Sequence, residues 1–248
     1  MKSVAIILIV HLAVIMLWQI LVDAFQVPKF ILPSPLAALS TLAFAKYAWI
    51  SNLLVTAVEI LGGFTLGAVV GVALALIFTW SRAVALILLP LFVTMNMIPK
   101  VAMGPLVLVW FSYGIFANIL IAFSICFFPI LLTTARGLSE VEPDLLDLVR
   151  TLKGSRWQLF TKIQLPGALP YIFSGMKVAA ILAVAGAIVG EFLGSDRGLG
   201  YLMLQVQVTL DTAAMFMAVI LITLIGMALY GIVLGLERLL VVRDARIQ

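Results

Sequence analysis

Long apolar runs are the feature that most restricts how this chain can fold. A helix that crosses the hydrocarbon core of a bilayer needs about 20 mostly apolar residues. The sequence holds six candidates: 4–22, 53–80, a third from about 84 that Pro90, Pro99 and Pro105 are expected to break, 118–134, 176–193 and 212–236. Hydrophobic residues make up 65% of the chain and charged residues 10%, against roughly 45–50% and about 25% in soluble domains. We therefore predict one all-α integral membrane domain, residues 1–248, with six transmembrane helices.

Basic residues outside these runs fall mostly on one side of the predicted membrane. With the N-terminus inside, the outer side receives only Lys29, Lys46 and Arg197, and the inner side receives Lys2, Arg82, Arg136, Arg150, Lys153, Arg156, Lys162, Lys177, Arg238, Arg243 and Arg246. Because cytoplasmic loops carry an excess of Lys and Arg, both termini are predicted to be cytoplasmic. The first run also has features of a secretory signal. It is longer than the usual apolar segment of about 7–15 residues, which favours a retained helix.

The loop at about 136–177 is the longest polar segment and predicts a helix–turn–helix elbow on the cytoplasmic side. Pro143 suits the first turn of its first helix, and Gly154 is expected to end that helix. Helical spacing then gives this helix an apolar stripe of Leu145, Leu148, Val149 and Leu152.

The second helix of the elbow is predicted to begin at Ser155, which forms a capping-box pattern with Gln158. Trp157 lies on its face, and Pro166 and Pro170 are expected to stop it. An amphipathic elbow of this kind could lie flat on the bilayer, or it could dock into another protein with Trp157 as a buried anchor. Composition alone leaves both interpretations open.

The same stretch resembles the cytoplasmic coupling loop of ABC-importer permeases. That family pattern is Glu-Ala-Ala, three residues, Gly, nine residues, Ile, one residue and Leu-Pro. Here Asp147-Leu148-Val149 stands at Glu-Ala-Ala, Lys153 stands at the glycine with Gly154 one place late, and Ile163 and Leu165-Pro166 match the end. Five segments of the chain resemble the nitrate/sulfonate/taurine-type branch of these permeases, which includes permeases for pyrimidine vitamin precursors. They are "FILPSPLAAL", "TAVEILGGFTLGAVVGVALA", "NMIPKVAMGPLVLVWFSYG", "SRWQLFTKIQLPGALPYIFSGMKVA" and "VGEFLGSDRGLGYLM".

The resemblance implies a type I ABC-importer permease fold with a coupling helix, in a bacterial inner membrane. It also implies partners: a second permease copy, two ATPase subunits that bind ATP and Mg, and an external substrate-binding protein. Contacts with the ATPase are then expected at Asp147, Leu148, Val149, Lys153, Gly154, Ser155, Trp157, Ile163, Leu165 and Pro166. The sequence has no G-x-x-x-x-G-K-[S/T] loop, so we expect a permease subunit that binds no cofactor and is not itself an enzyme.

Ionisable residues inside membrane spans are costly and usually face a cavity or a partner. Glu59, Lys100 and Glu191 qualify, and Asn96 lies one turn before Lys100. They are candidates for the translocation pathway. The alternative is that Glu59 pairs with Lys100, or Glu191 with Arg197, to hold helices together.

Other functional classes lack their sequence signatures. No Cys/His cluster predicts a metal site, no aromatic–basic pattern predicts nucleic-acid binding, and the only histidine, His11, lies in a predicted span. An intramembrane enzyme or an ion-gradient-driven secondary transporter remain as alternatives to the importer. For the importer, the predicted substrate is a small polar molecule. It is either a pyrimidine or other vitamin precursor, or a sulfonate-, taurine- or nitrate-like anion that would suit Lys100.

Overall fold

The computed structural model describes residues 2–140 and 143–241, so Arg243 and Arg246 of the predicted inner charge lie outside the described residues. Within these two ranges no β-strand occurs, and the predicted all-α class is confirmed. The helices are α1 (Lys2–Ala24), α2 (Pro35–Ser40), α3 (Trp49–Trp80), α4 (Arg82–Met97), α5 (Lys100–Phe111), α6 (Ile115–Ser139), α7 (Pro143–Thr151), α8 (Arg156–Leu159), α9 (Leu165–Gly194), α10 (Leu199–Val208) and α11 (Thr212–Leu240).

Most of the predicted membrane spans form long apolar helices. Among the described residues, four stretches are long and apolar enough to cross a bilayer, namely Ala45–Trp80, Ile115–Ser139, Arg156–Gly194 and Thr212–Leu240. Helices α4 and α5 together give a fifth if the bent pair is counted as one span. The first predicted run forms α1, whose apolar stretch Ile9–Ala24 is shorter than these four.

The third predicted span is broken at one proline and not at three. Helices α4 and α5 are bent by 91° at the break that contains Pro99. Pro90 and Pro105 lie inside α4 and α5, so the prediction that they break the span was wrong. A proline removes one ladder hydrogen bond, whereas a complete break would leave several backbone groups without partners in hydrocarbon.

The chain divides into two compact units, Met1–Thr56 with Asp196–Leu224, and Ala57–Ser195 with Ile225–Gln248. The single-domain organisation of residues 1–248 stays a prediction. In the first unit, side chains near the start of α3 complete the start of α10. The Gly198 N–H donates to Asn52 Oδ1 at 2.9 Å, and the Leu199 N–H donates to Thr56 Oγ1 at 2.8 Å. The first N–H groups of a helix have no partner within it, so these bonds fix where α10 begins.

In the second unit, glycines let α3 and α9 approach α6 closely. A Cβ added to Gly67 would lie 2.8 Å from Cys126 Sγ, and one added to Gly186 would lie 2.6 Å from Ala122 Cα. Small residues at such positions allow backbones to pack against each other where lipid gives no hydrophobic driving force. Gly67 and Gly186 therefore act in packing within this one chain.

A partly buried ion pair adds a second link in the same unit. Lys177 Nζ of α9 donates to Glu237 Oε1 of α11 at 3.1 Å, and the exposed fractions of the two side chains are 18% and 4%. Removing one partner of a buried pair leaves an uncompensated charge. This pair therefore ties α11 to α9 in a fixed register.

Replacing Gly186 by alanine should destabilise the contact between α6 and α9. The added methyl group overlaps the Ala122 backbone, and overpacking of this kind costs about 1–3 kcal/mol. Thermal unfolding of the purified protein in detergent or nanodiscs measures the effect. Gly231→Ala in α11 is the matched control, because, apart from its chain neighbours and its own helix backbone, no heavy atom of the described residues lies within 4 Å of its added Cβ. Equal melting temperatures for the two variants would contradict the packing assignment.

Candidate functional site

Helix α7 forms the first arm of the predicted elbow and leaves its apolar side chains uncovered. The exposed fraction is 51% for Leu148, and it is 72% for Leu152, which follows the helix. Asp147 is exposed as well, and Val149 is half-buried. A stripe of large apolar side chains on a short polar segment is typical of a surface that meets lipid or a partner.

The turn that ends α7 uses Lys153 in place of the expected Gly154. Lys153 has a φ of 51°, in the left-handed region, and the Gly154 N–H donates to the Val149 carbonyl at 2.8 Å. This is the Schellman arrangement, in which the left-handed residue is usually glycine. Lys153 therefore occupies the family's glycine position in sequence and in backbone conformation. Gly154 serves instead for close approach, since an added Cβ would lie 2.7 Å from Val149 Cγ1.

The second arm begins with the predicted capping box. Ser155 Oγ accepts from the Gln158 N–H at 3.2 Å, and the Ser155 N–H donates to Gln158 Oε1 at 2.8 Å. These reciprocal bonds satisfy two backbone N–H groups at the helix start, and the predicted capping box is confirmed.

The second arm does not stop at Pro166 and Pro170, and this part of the prediction was wrong. Helix α8 continues through a π-helical segment, Phe160–Gln164, directly into α9, and Pro170 lies inside α9. The Leu165 N–H bonds to the Phe160 carbonyl five residues back, and Pro166 then stands in the first turn of α9, where a missing N–H is tolerated. The continuous helix that contains the fifth span thus starts at Arg156 and not at 176.

An aromatic cluster joins the elbow to the end of α3. The ring centroids of Trp157 and Phe160 are 5.8 Å apart, and Trp80 lies 6.1 Å from Trp157 and 5.9 Å from Phe160. Phe160 is buried, whereas Trp157 is 59% exposed, so one ring anchors the arm and the other remains available. Trp80 was not among the predicted residues, although an aromatic residue at the end of a span is a usable signal.

The remaining coupling candidates divide between the two faces of this arm. Ile163 and Leu165 are half-buried, and Leu165 packs in the core cluster that includes Phe160 and Ile172. Pro166 is exposed. The arm therefore has one face in the bundle and one face outside it.

Two oppositely charged side chains, Arg136 and Glu140, form an ion pair where the chain enters the elbow. Arg136 Nε donates to Glu140 Oε2 at 3.2 Å, one turn further along the chain. This hydrogen bond holds the pKa of the Glu140 carboxyl below its ordinary value. The pair is exposed, so its effect on stability is small.

Two of the four pathway candidates, Glu59 and Glu191, come together in the interior. Asn118 Nδ2 donates to Glu59 Oε1 at 2.8 Å, and Glu191 lies within hydrogen-bonding range of Glu59. All three side chains are buried, and Gly190 provides the space that Asn118 fills. This cluster joins α3, α6 and α9. Asn118 was missed because it was taken as the first residue of a span, although a polar residue in an apolar run is itself a signal.

The other two candidates, Asn96 and Lys100, lie together at the break between α4 and α5. Lys100 Nζ donates to the carbonyls of Met95, Asn96 and Ile98 at 3.0, 3.2 and 3.4 Å. The ammonium thus caps the negative end of α4. Asn96 and Lys100 also line a cavity of about 330 Å³, whose other walls include Phe92 and Phe127. The predicted pairing of Glu59 with Lys100 is replaced by these two separate arrangements.

Comparisons with known proteins agree on one protein family. The model of the family described as binding-protein-dependent transport system inner membrane component matches residues 63–242. A probable ABC transporter permease protein of Haemophilus influenzae is 36% identical over 87% of this chain and 88% of its own length.

Two further relatives carry substrate names. The formylaminopyrimidine transport permease protein of Halalkalibacterium halodurans is 30% identical over 92% of each chain. The riboflavin transport system permease protein of Chloroflexus aurantiacus is 34% identical over 90% of this chain and 84% of its own.

The fold is also similar to that of a solved transporter. A chain of the inward-facing MetNI methionine ABC transporter superposes with a TM-score of 0.57 at 21% identity, over 74% of this chain and 94% of that one. At this identity the likeness concerns the fold alone. It agrees with the predicted importer permease fold.

Lys153→Gly is expected to stabilise the elbow by about 1 kcal/mol, because a side chain in the left-handed region costs about 1–2 kcal/mol that glycine does not pay. Slower hydrogen–deuterium exchange of the backbone amides at 152–159 would report the gain. Lys153→Ala is the control, because it removes the charge and keeps the strained backbone. Equal exchange in the alanine and glycine variants would show that charge, and not conformation, matters here.

Proposed function

The chain belongs to the family of inner-membrane components of binding-protein-dependent transport systems, and from this premise we propose how it couples ATP hydrolysis to transport. It is the integral membrane permease subunit of an ABC importer. ATP hydrolysis belongs to a partner ATPase, and a substrate-binding protein is a further partner of the system. The intramembrane enzyme and the ion-gradient-driven transporter are thereby set aside.

We propose that the elbow docks into the ATPase subunit, which carries ATP and Mg. The supporting observation is the uncovered apolar surface of Leu148, Leu152 and Trp157, set among polar residues. Buried aromatic anchors supply much of the affinity at protein interfaces. Asp147, Lys153, Gly154 and Ser155 shape this surface through the helix end and the capping box.

The single observation that carries the coupling mechanism is the continuity of the second arm with α9. A force on Trp157 passes along α8 and the π-helical segment into a membrane-spanning helix without an intervening loop. Helix α9 in turn packs against α6 through Gly186 and Gly190. Packed helices move as rigid bodies, so closure of the ATPase subunits would tilt this group and switch access from outside to inside.

We also propose the assembly and the orientation. Two copies of the chain form the pathway as a homodimer, with both termini and the elbow in the cytoplasm. The excess of Lys and Arg in the loops on the elbow side supports this orientation. A homodimer places two elbows on the same face, one for each ATPase subunit.

For the substrate we propose a pyrimidine or other vitamin precursor. Two relatives are named for aromatic heterocycles, formylaminopyrimidine and riboflavin, and phenylalanine rings line the cavity beside Asn96. A sulfonate-, taurine- or nitrate-like anion is the second candidate. The observation in its favour is Lys100, a cation at the wall of the same cavity.

Trp157→Ala should weaken the affinity for the ATPase by roughly 30-fold or more, because anchor residues at interfaces contribute about 2 kcal/mol or more. Co-purification with the ATPase and substrate-stimulated ATP hydrolysis measure this. Trp110→Ala is the matched control, since Trp110 in α5 is exposed to a similar degree, 63% against 59%. A Trp157→Ala variant that assembles and transports like the parent protein would argue against docking through the elbow.

A further inference from the structure

The cavity between α3, α4, α5 and α6 lies beside the middle of α6, a helix long and apolar enough to cross a membrane. Its wall includes Phe123, Phe127 and Phe128, and residue 127 is the midpoint of α6, which runs from 115 to 139. We infer that this cavity is a substrate subsite for an uncharged, planar, single-ring heterocycle of the pyrimidine type. The inference rests on the proposed importer function and assigns the side chains that hold the substrate.

Aromatic rings surround the cavity with geometry suited to a flat ligand. Phe123 and Phe127 are stacked, with centroids 5.3 Å apart and planes at 29°, and Phe92 meets Phe127 edge-on at 5.9 Å. Stacking of a base on an aromatic side chain contributes about 1–3 kcal/mol and needs no particular hydrogen-bond pattern. The rings are held by their own contacts and so are already ordered before a ligand enters.

The break between α4 and α5 borders the same cavity. Non-helical backbone at membrane depth is tolerated where it is buried in protein or lines a cavity. Asn96, in the last turn of α4, lies at this edge and its side chain offers a donor pair and an acceptor. Apolar walls with one or a few polar groups are typical of sites that bind small molecules.

The Lys100 ammonium is already hydrogen-bonded to backbone carbonyls, which argues against an anionic substrate in this cavity. Its ammonium has three N–H donors, and three carbonyls, those of Met95, Asn96 and Ile98, lie within 3.0–3.4 Å of Nζ. An anion would have to take donors away from the end of α4. It would also lose its hydration in a cavity whose other lining residues carry no charge.

The volume of the cavity sets the size of the ligand. At about 330 Å³ it is near the lower limit of the range for ligand pockets, about 300–1,000 Å³. A single ring with short substituents suits this space better than a three-ring flavin with its side chain. The size of the cavity therefore favours a single-ring pyrimidine over a flavin, although the two relatives are named for one substrate of each kind.

Thiol labelling in the assembled complex tests the assignment. Ser124 lines the cavity, and the only native cysteine, Cys126, is buried. A Ser124→Cys variant should therefore react with a small maleimide where the parent protein does not. Formylaminopyrimidine is expected to slow this labelling by about tenfold. Protection by taurine, nitrate or riboflavin to the same degree would overturn the inference.

The aromatic wall is tested in the same background. Adding Phe127→Ala should abolish protection by formylaminopyrimidine, and Phe127→Tyr should retain it, because tyrosine keeps the ring. Phe64→Ala is the control, since Phe64 is also half-buried but packs in the core cluster around Ile60. Labelling that formylaminopyrimidine does not slow would mean that lipid or a second copy of the chain occupies this space, and it would overturn the inference.

Failure of this inference is distinguishable from failure of the proposed function. Each variant is also assayed for co-purification with the ATPase. Normal assembly without protection at Ser124→Cys contradicts the subsite alone. Loss of assembly in Trp157→Ala is the separate test of coupling and does not depend on which ligand fills the cavity.

Discussion

Hydrocarbon offers no hydrogen-bond partners, and this constraint bears on each place where a membrane helix ends or bends. Where a helix ends or bends, another group of the protein takes over its backbone polar groups. Lys100 covers the carbonyls at the end of α4, and Asn52 and Thr56 accept from the N–H groups at the start of α10. The π-helical segment before Pro166 is a further case, because it lets the chain pass a proline without leaving the helix. At the end of α4 and the start of α10, specific side chains therefore bind the backbone groups that the helix leaves free.

Close packing of helices is the second constraint on the structure, and it makes the helices of the proposed coupling mechanism stiff. Glycines at the contacts of α6 with α3 and α9 bring backbones together, and the Glu59–Asn118–Glu191 cluster crosses the same three helices. Buried polar contacts of this kind have few alternative arrangements in a dry interior. An elbow that continues directly into α9 can therefore pass displacement into a group of helices that resists deformation.

The proposed function divides between two places in the second unit. The elbow presents uncovered apolar side chains and a cap-and-turn geometry that suit a protein partner. The cavity at the break of α4 and α5 presents stacked aromatic rings and one amide, with its cation already bonded to backbone carbonyls. An importer needs both a mechanical input and a passage for substrate, and the proposal assigns these two needs to the elbow and the cavity.

The sequence by itself determined the all-α membrane class, the family, the elbow and its capping box, because each depends on local spacing or on the length of an apolar run. It did not determine which prolines break a helix, because Pro90, Pro99 and Pro105 look alike in sequence and only Pro99 lies at a break, where Lys100 bonds to carbonyls at the end of α4. It also placed Gly154 at a turn that Lys153 makes. Only the tertiary structure decided that Glu59 meets Asn118 and that Lys100 is bonded to the end of α4. Helix packing brings Glu59 and Asn118 together although they are far apart along the chain, and the contacts of Lys100 depend on the bend between α4 and α5.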